Sequence, residues 1–370
     1  MRQMVSRYLD VWSLLACMLP LGIYLGCLAP AITFYDSGEF VTAVHFLGSA
    51  HSPGYPLFLL FAKPFTWLPV GTIAFKVNFA TAVSAALACL MAYHLIRALL
   101  DGVIFCEDPV FSEFAKRLAA MSGALIFAVS PRLWLQSNHD KPYPLLAFIS
   151  GLILFFLLRW AKNHLHGDEQ PAWWYAAAFL AGLATGAHQT IVLLLPGCLL
   201  FVLVTSWKSL RCVREWILTV CMLFLGGAVQ LYLPLRAAAE TRQNWGDPDA
   251  LSRFLWHLLR RGYPEDPHSR DISLFFKQLA AFNLPHEFGW VGLLFVLIGV
   301  WACWQIQRAF LVYLAVSLFC FWLIIAGYFN PQSESIFLTE EFYTPLYLLA
   351  AVVLAIGLFT VAARGAAAAQ

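Results

Sequence analysis

Charge is what this sequence has least of. Asp, Glu, Lys and Arg make up 12% of its 370 residues, against roughly 25% in soluble domains. So few charges cannot clothe a water-soluble globule. With 61% hydrophobic residues and a mean hydropathy of +0.72, the chain reads as an all-α integral membrane protein. The net charge is only +2, and no basic run interleaves with aromatics, so nucleic acid is excluded as a partner. Nine cysteines are present, but none has C-x-x-C spacing and most lie inside apolar runs. They serve as small packing residues rather than disulfides or metal ligands. No small-x-small cleavage site follows residues 11–30, so that stretch reads as a retained span rather than a leader.

Stretches of about 20 mostly apolar residues mark spanning helices. They fall near 11–30, 72–96, 118–131, 144–160, 172–187, 189–207, 216–235, 290–306, 309–328 and 343–363, giving about ten spans in one polytopic domain over residues 1–370. Residues 53–69 are apolar too, but Pro53, Pro56, Pro64 and Pro69 break them. Proline removes a donor and clashes with the preceding turn, so this piece reads as re-entrant or interfacial. Lys and Arg in short loops set orientation. With both termini cytoplasmic, twelve of the 23 basic residues lie inside and four in short outer segments, and seven fall in the long loop 236–289. This places the loop 31–71 and the loop 236–289 outside, and with them most polar patches: "YDSGEF" (35–40), "HSPGYP" (51–56), "SNHDKPYP" (137–144), "TGAHQT" (185–190) and 330–345.

Asp36 and Glu39 open the first outer loop. One reading is local: a capping box, with Asp36 at the N-cap and an acidic first turn. The other is functional: a base or a metal-binding pair beside the bilayer. The two are compatible, since a capped carboxylate is also an oriented one. Phe40, Val44 and Leu47 share a helical face, which predicts a short amphipathic helix on the membrane surface, stopped by Gly48. His51 begins a turn stiffened by Pro53, Gly54 and Pro56 and is either an ordinary loop histidine or one held in place. His188 stands at the outer end of a span. Lys76 and Asn78 open another, where snorkelling explains them.

In this order "DSGEF", "AHSPGYPLF" and "FKVN" resemble a widespread family of multi-pass proteins grouped with the transmembrane protein O-mannosyltransferases of the GT-C glycosyltransferase superfamily. "GLATGAHQT" (182–190), "LYLPLR" (231–236), "NWGDP" (244–248) and "RRGYPEDP" (260–267) are similar to later motifs of that family. The likeness covers roughly residues 10–290. One position departs from it. Relatives usually carry a glutamate two residues before the tyrosine of "DKPYPL", where this chain has Lys141 before Tyr143. The adjacent Asp140 is the candidate to stand in.

The resemblance implies a GT-C-like helical bundle, here of about ten helices, whose active site is extracytoplasmic: it faces outward from the cytoplasmic membrane of a bacterium, the expectation taken here, or the endoplasmic reticulum lumen in a eukaryote. It implies a sugar, mannose or another hexose, carried from a polyprenyl-phosphate donor to a hydroxyl of a protein or glycan acceptor. Asp36 would be the base or the acceptor-orienting carboxylate, with Glu39 beside it, and the two would hold a divalent metal, Mg or Mn, if one is bound. The chemistry asks for a base near the acceptor hydroxyl and for cations or donors at the departing phosphate. His51, Lys141, His188, Arg236, Arg260 and Arg261 are candidates for the phosphate. Asn244, Trp245 and Tyr263 are candidates for sugar or acceptor. A transporter or flippase of lipid-linked sugars is the alternative, and a non-catalytic envelope-assembly protein a third. The nearly uncharged spans and the absence of an inverted repeat speak against transport.

Overall fold

The computed structural model describes residues 10–104, 108–167, 171–262 and 271–369. Among them the regular structure is all helical, with no strand beyond one isolated bridge between Ser49 and Asn244. The first helices are α1 (Val11–Cys27), α2 (Ser37–Phe46), α3 (Pro56–Ala62), α4 (Ile73–Leu99), α5 (Pro109–Ala128), α6 (Pro131–Ser137), α7 (Tyr143–Leu165) and α8 (Ala172–Ala184). A 3-10 stretch, Gln189–Leu194, then leads into α9 (Leu195–Thr205). There follow α10 (Val213–Gly227), α11 (Tyr232–Ala237), α12 (Leu251–Leu258), α13 (Ile272–Leu279), α14 (Leu284–Ile306), α15 (Arg308–Trp322), α16 (Ile336–Glu340) and α17 (Thr344–Ala369).

An apolar helix stands at each of the ten stretches expected from the sequence, but they differ in reach. Among the described residues six helical segments are long and apolar enough to cross a membrane, and a seventh is gained if α5 and α6, bent by 64° to each other, form one broken span. Val11–Cys27, Ala172–Ala184 and Gln189–Thr205 are apolar but shorter. The stretch expected at 118–131 begins nine residues earlier, at Pro109. Glu113, Lys116 and Arg117 hid its first turns from an apolar reading, while the bend follows Pro131, which cannot continue the preceding helix. Residues 53–69 form the short α3 and a 3-10 turn, Lys63–Trp67. Twelve helical residues advance about 20 Å, too little to span a core of about 30 Å.

The centre of the bundle is α4, α7 and α17, the most deeply buried of the long helices. Apolar side chains in lipid gain little by merely leaving it, so close backbone approach matters more than hydrophobicity. Two reciprocal glycine crossings provide it. A Cβ on Gly182 of α8 would overlap the Leu223 carbonyl, and one on Gly226 of α10 would overlap that of Phe179. Gly299 of α14 and Gly357 of α17 stand in the same relation to the carbonyls of Val353 and Phe295.

Helices α4 and α7 also fix where the polar groups go. Each begins at the end of the bundle that holds the loop 28–72 and finishes about 35–40 Å away by its length. Thr72 caps α4 by accepting from the Phe75 N–H at 3.1 Å. The Asn78 amide donates to the Ala29 and Ala31 carbonyls at 2.9 and 3.2 Å. Asn78 is therefore buried and ties down the chain between α1 and α2, where the sequence suggested only an interfacial residue.

Candidate active site

Helix α2 presents the first carboxylates. It starts after Tyr35, which adopts a left-handed backbone, and ends at Leu47, which does so too. Gly48 N–H then donates back to the Ala43 carbonyl at 2.9 Å, a left-handed C-terminal stop of the kind glycine favours, here one residue earlier than Gly48 itself. Phe40, Val41, Ala43 and Val44 are buried, which turns the other face outward. Asp36 holds the N-cap position, but its side chain makes no capping bond. The local capping explanation therefore fails for its carboxylate, which faces Lys141 instead, 3.9 Å from the ammonium.

Glu39 grips the turn that follows. One carboxylate oxygen accepts from the His51 backbone N–H, and the other lies 3.0 Å from His51 Nδ1. The far ring nitrogen of His51 meets the Tyr55 hydroxyl at 2.9 Å. Phe40 closes an aromatic wall against both rings. Donor atoms of Asp36, Glu39 and His51 all lie within 4.8 Å of one another. Two ligands on one divalent ion at about 2.0–2.2 Å stand within ~4.4 Å of each other, so small side-chain movements would let these three share an ion. The two carboxylates suit Mg or Mn, and the imidazole widens the choice toward later first-row divalent ions. The sequence reading anticipated the two carboxylates; His51 joins them only through the fold.

A second group of charges faces Asp36 from other helices. The Lys141 ammonium, 6% exposed as a residue, lies 3.1 Å from a Glu341 oxygen. It thereby bridges two carboxylates from distant parts of the chain. Asp140 next to it is fully buried. Ser37 Oγ donates to one Asp140 oxygen at 2.6 Å, while the other has no hydrogen-bond partner. Burial pushes the Asp140 carboxyl from its ordinary 3.8 up to about 7, against the lowering effect of Ser37 and Lys141.

His188 lies at the floor. It is 1% exposed. Its Nδ1 accepts from the Thr190 N–H at 3.2 Å and lies 2.8 Å from the Thr190 hydroxyl, so the proton sits on Nε2, which has no partner. Burial, with Arg260 and His51 nearby, holds it well below the ordinary histidine range and hence neutral. Tyr143, Tyr55 and Phe342 surround the ring at centroid distances of 5.0, 5.8 and 5.1 Å. A neutral donor facing an aromatic pocket suits a sugar hydroxyl or a phosphate oxygen.

Of the remaining residues anticipated from sequence, Arg236, Asn244 and Trp245 contact the segment 46–49 that joins α2 to His51. Arg236 Nε donates to the Leu47 carbonyl at 2.7 Å, a second guanidinium N–H reaches Phe46 O, and the Tyr232 hydroxyl donates to Gly48 O at 3.0 Å. The "LYLPLR" segment thus clamps the C-terminal end of α2, with a cation placed where a helix end is negative. Asn244 and Trp245 pair with Ser49, two residues before His51, while Trp245 as a residue stays 54% exposed. Arg261 is exposed. Tyr263 lies outside the described residues. Two groups escaped the sequence reading. Glu341 had only a pair of acids in an outer loop to announce it. His257 is wholly buried between Gly54 and Gly246, whose φ angles are +95° and +71°; a Cβ on Gly246 would come within 2.6 Å of its Nδ1. The glycines of "HSPGYP" and "NWGDP" were the visible sign of a ring that had to fit between them.

Comparison with known proteins agrees with the motifs. A family model described as the protein O-mannosyl-transferase TMEM260 N-terminal domain matches residues 36–211. That stretch starts at Asp36 and takes in Glu39, His51, Lys141 and His188. Protein O-mannosyl-transferase TMEM260 of Mus musculus is 28% identical over 231 residues, 62% of this chain and 31% of the relative. Protein O-mannosyl-transferase tmem260 of Dictyostelium discoideum is 23% identical over 289 residues, 73% of this chain and 34% of the relative. The chain thus spans about a third of the length of the curated relatives it matches. Both are eukaryotic and lend no support to the bacterial membrane expected from the sequence. No solved structure matches. Motifs, family model and relatives agree that this chain is related to the transmembrane protein O-mannosyltransferases.

Proposed function

We propose that the chain is a membrane glycosyltransferase of the O-mannosylation type. It moves a mannose or similar hexose from a polyprenyl-phosphate donor to an acceptor hydroxyl, with inversion at the anomeric carbon. The observation that carries this reading is the meeting of Asp36, Glu39, His51 and Lys141 at one end of the bundle, inside the segment matched to the mannosyl-transferase domain.

The residues divide the chemistry. Asp36, the most open carboxylate of the group, takes the proton of the acceptor hydroxyl as its oxygen attacks the anomeric carbon. The bond from that carbon to the phosphate oxygen breaks, and the phosphate leaves with one more negative charge. Lys141 and the Nε2–H of His188 meet that charge. Glu39 holds His51, and Tyr55 holds it from the other side, so the turn 48–55 keeps its shape while substrates enter. A divalent ion held by Asp36, Glu39 and His51 would supply positive charge beside the phosphate. The donor's isoprenoid tail needs an apolar slot open to lipid. A cleft of about 470 Å³ between α7, α8, α9 and α10, with Ile153, Ala181, Val192 and Leu223 among its lining, offers one that begins two residues past Thr190.

The test is transfer of labelled mannose from polyprenyl-phosphate mannose to a membrane extract by vesicles carrying the purified protein. Asp36→Asn keeps the shape and removes the base, so the rate falls by about 10²–10⁴-fold. Equal rates in wild type and variant would end the assignment of Asp36, and no transfer by folded wild type from any such donor would end the enzyme reading.

A further inference from the structure

A cavity of about 500 Å³ opens at the other end of the bundle, where α4 and α7 finish and α5 begins. From the candidate active site it is separated by the length of α7, roughly 35 Å. Arg97, Lys116, Arg117, Arg159 and Lys162 line it, against the carboxylates Asp10, Asp101 and Glu113. Among the described lining residues, five cations stand against three anions. The carboxylates are engaged: Glu113 pairs with Arg97 and Arg117, Asp10 with Arg117 at 3.6 Å, and Asp101 with Lys162. Biosynthetic insertion explains why cations gather at one end of a bundle. It does not explain a cavity among them, nor two orphaned donors in its wall. The Tyr93 hydroxyl, on a residue 2% exposed, and the buried Nη1 of Arg97 have no hydrogen-bond partner. Buried donors are ordinarily satisfied, so these point to an acceptor that enters from outside.

We propose that this cavity binds a phosphate-bearing anion. A phosphate offers several acceptor oxygens to a guanidinium fork, an ammonium and a phenol at once. The volume exceeds what a bare phosphate fills and falls within the range of small-molecule sites. Leu158, Leu165 and Ile306 give the lining an apolar part beside the cations, and His94 and His166 also face the cavity. That combination suits the head group and first carbons of an anionic phospholipid, since basic pockets between membrane helices hold such head groups. The site is separate from the proposed transfer reaction and stands whether or not that reaction is correct.

The experiment is native mass spectrometry of the full chain in neutral detergent, offered equal amounts of phosphatidic acid and phosphatidylcholine. A parallel titration with inorganic phosphate reads the soluble source. Wild type is expected to retain phosphatidic acid preferentially. Lys116→Gln with Arg159→Gln should weaken that retention by roughly 10- to 30-fold, two cationic contacts being removed, and Tyr93→Phe should weaken it with no change of charge. Arg308→Gln, a cation outside the cavity lining, should leave it unchanged. Saturable phosphate binding lost in the same variants, without lipid preference, supports the anion site with a soluble ligand. Neither lipid preference nor phosphate binding in a protein with wild-type thermal unfolding overturns the proposal. So does an Arg308→Gln effect as large as that of the double variant.

Discussion

Replacing Asp140 by Asn tests the electrostatics of the candidate site without touching Asp36. The carboxyl is fully buried, accepts one bond from Ser37 and leaves its second oxygen unpartnered. Burial raises it from 3.8 to about 7. The sign follows from that direction. The fold prefers the protonated form, so the contribution of Asp140 to stability is full below about pH 4 and is lost as pH climbs through about 7. Between about pH 5 and about pH 8 the loss comes to ~3 kcal/mol, an order-of-magnitude figure. Asparagine keeps an oxygen for Ser37 and cannot ionise. Its unfolding temperature should therefore exceed that of wild type by several degrees at pH 8, with the gap closing toward pH 5. Tryptophan fluorescence in detergent micelles follows the transition. Parallel pH curves for the two proteins would refute the reasoning, because a burial-raised carboxyl must tilt one of them.

Three further outcomes are expected. Glu39→Gln cannot accept from both the backbone and the ring N–H of His51; the lost charge-assisted bonds cost about 1.5–3 kcal/mol, and Mn binding, read by isothermal titration, should weaken together with transfer. Lys141→Met leaves Asp36 and Glu341 facing each other without the ammonium between them, a loss of about 3 kcal/mol for a mostly buried pair; adding Glu341→Gln should restore much of the unfolding temperature, and failure of that rescue would remove Glu341 from the site. Gly246→Ala forces a left-handed backbone on an L residue and drives its Cβ toward the buried His257 ring, together about 2–5 kcal/mol. Gly227→Ala, whose Cβ would meet nothing within 4 Å, is the control and should leave the melting curve in place.

The sequence alone determined the class of molecule and the position of its apolar helices, because hydrophobic runs and scarce charge act locally and answer directly to the bilayer. It also marked Asp36, Glu39, His51 and His188, because motifs with proline, glycine and carboxylates at short spacing leave a local trace. Helix reach was less legible: α5 carries charges in its first turns, and the short α1, α8 and α9 look apolar whether or not they cross. Other matters were decided by contacts between residues far apart in the chain. Whether Asp36 capped its helix or faced an ammonium depended on Lys141, more than a hundred residues on. Glu341 became a partner of Lys141 only when the last long helix packed at the centre of the bundle. Arg236, a plausible phosphate ligand by residue type, was committed by the fold to the end of α2. His257 carried no signal of its own, since a histidine's burial is a property of what packs around it. Composition and spacing are fixed by covalent order, but pairing, burial and the proton affinities that follow are set by neighbours that only tertiary structure supplies.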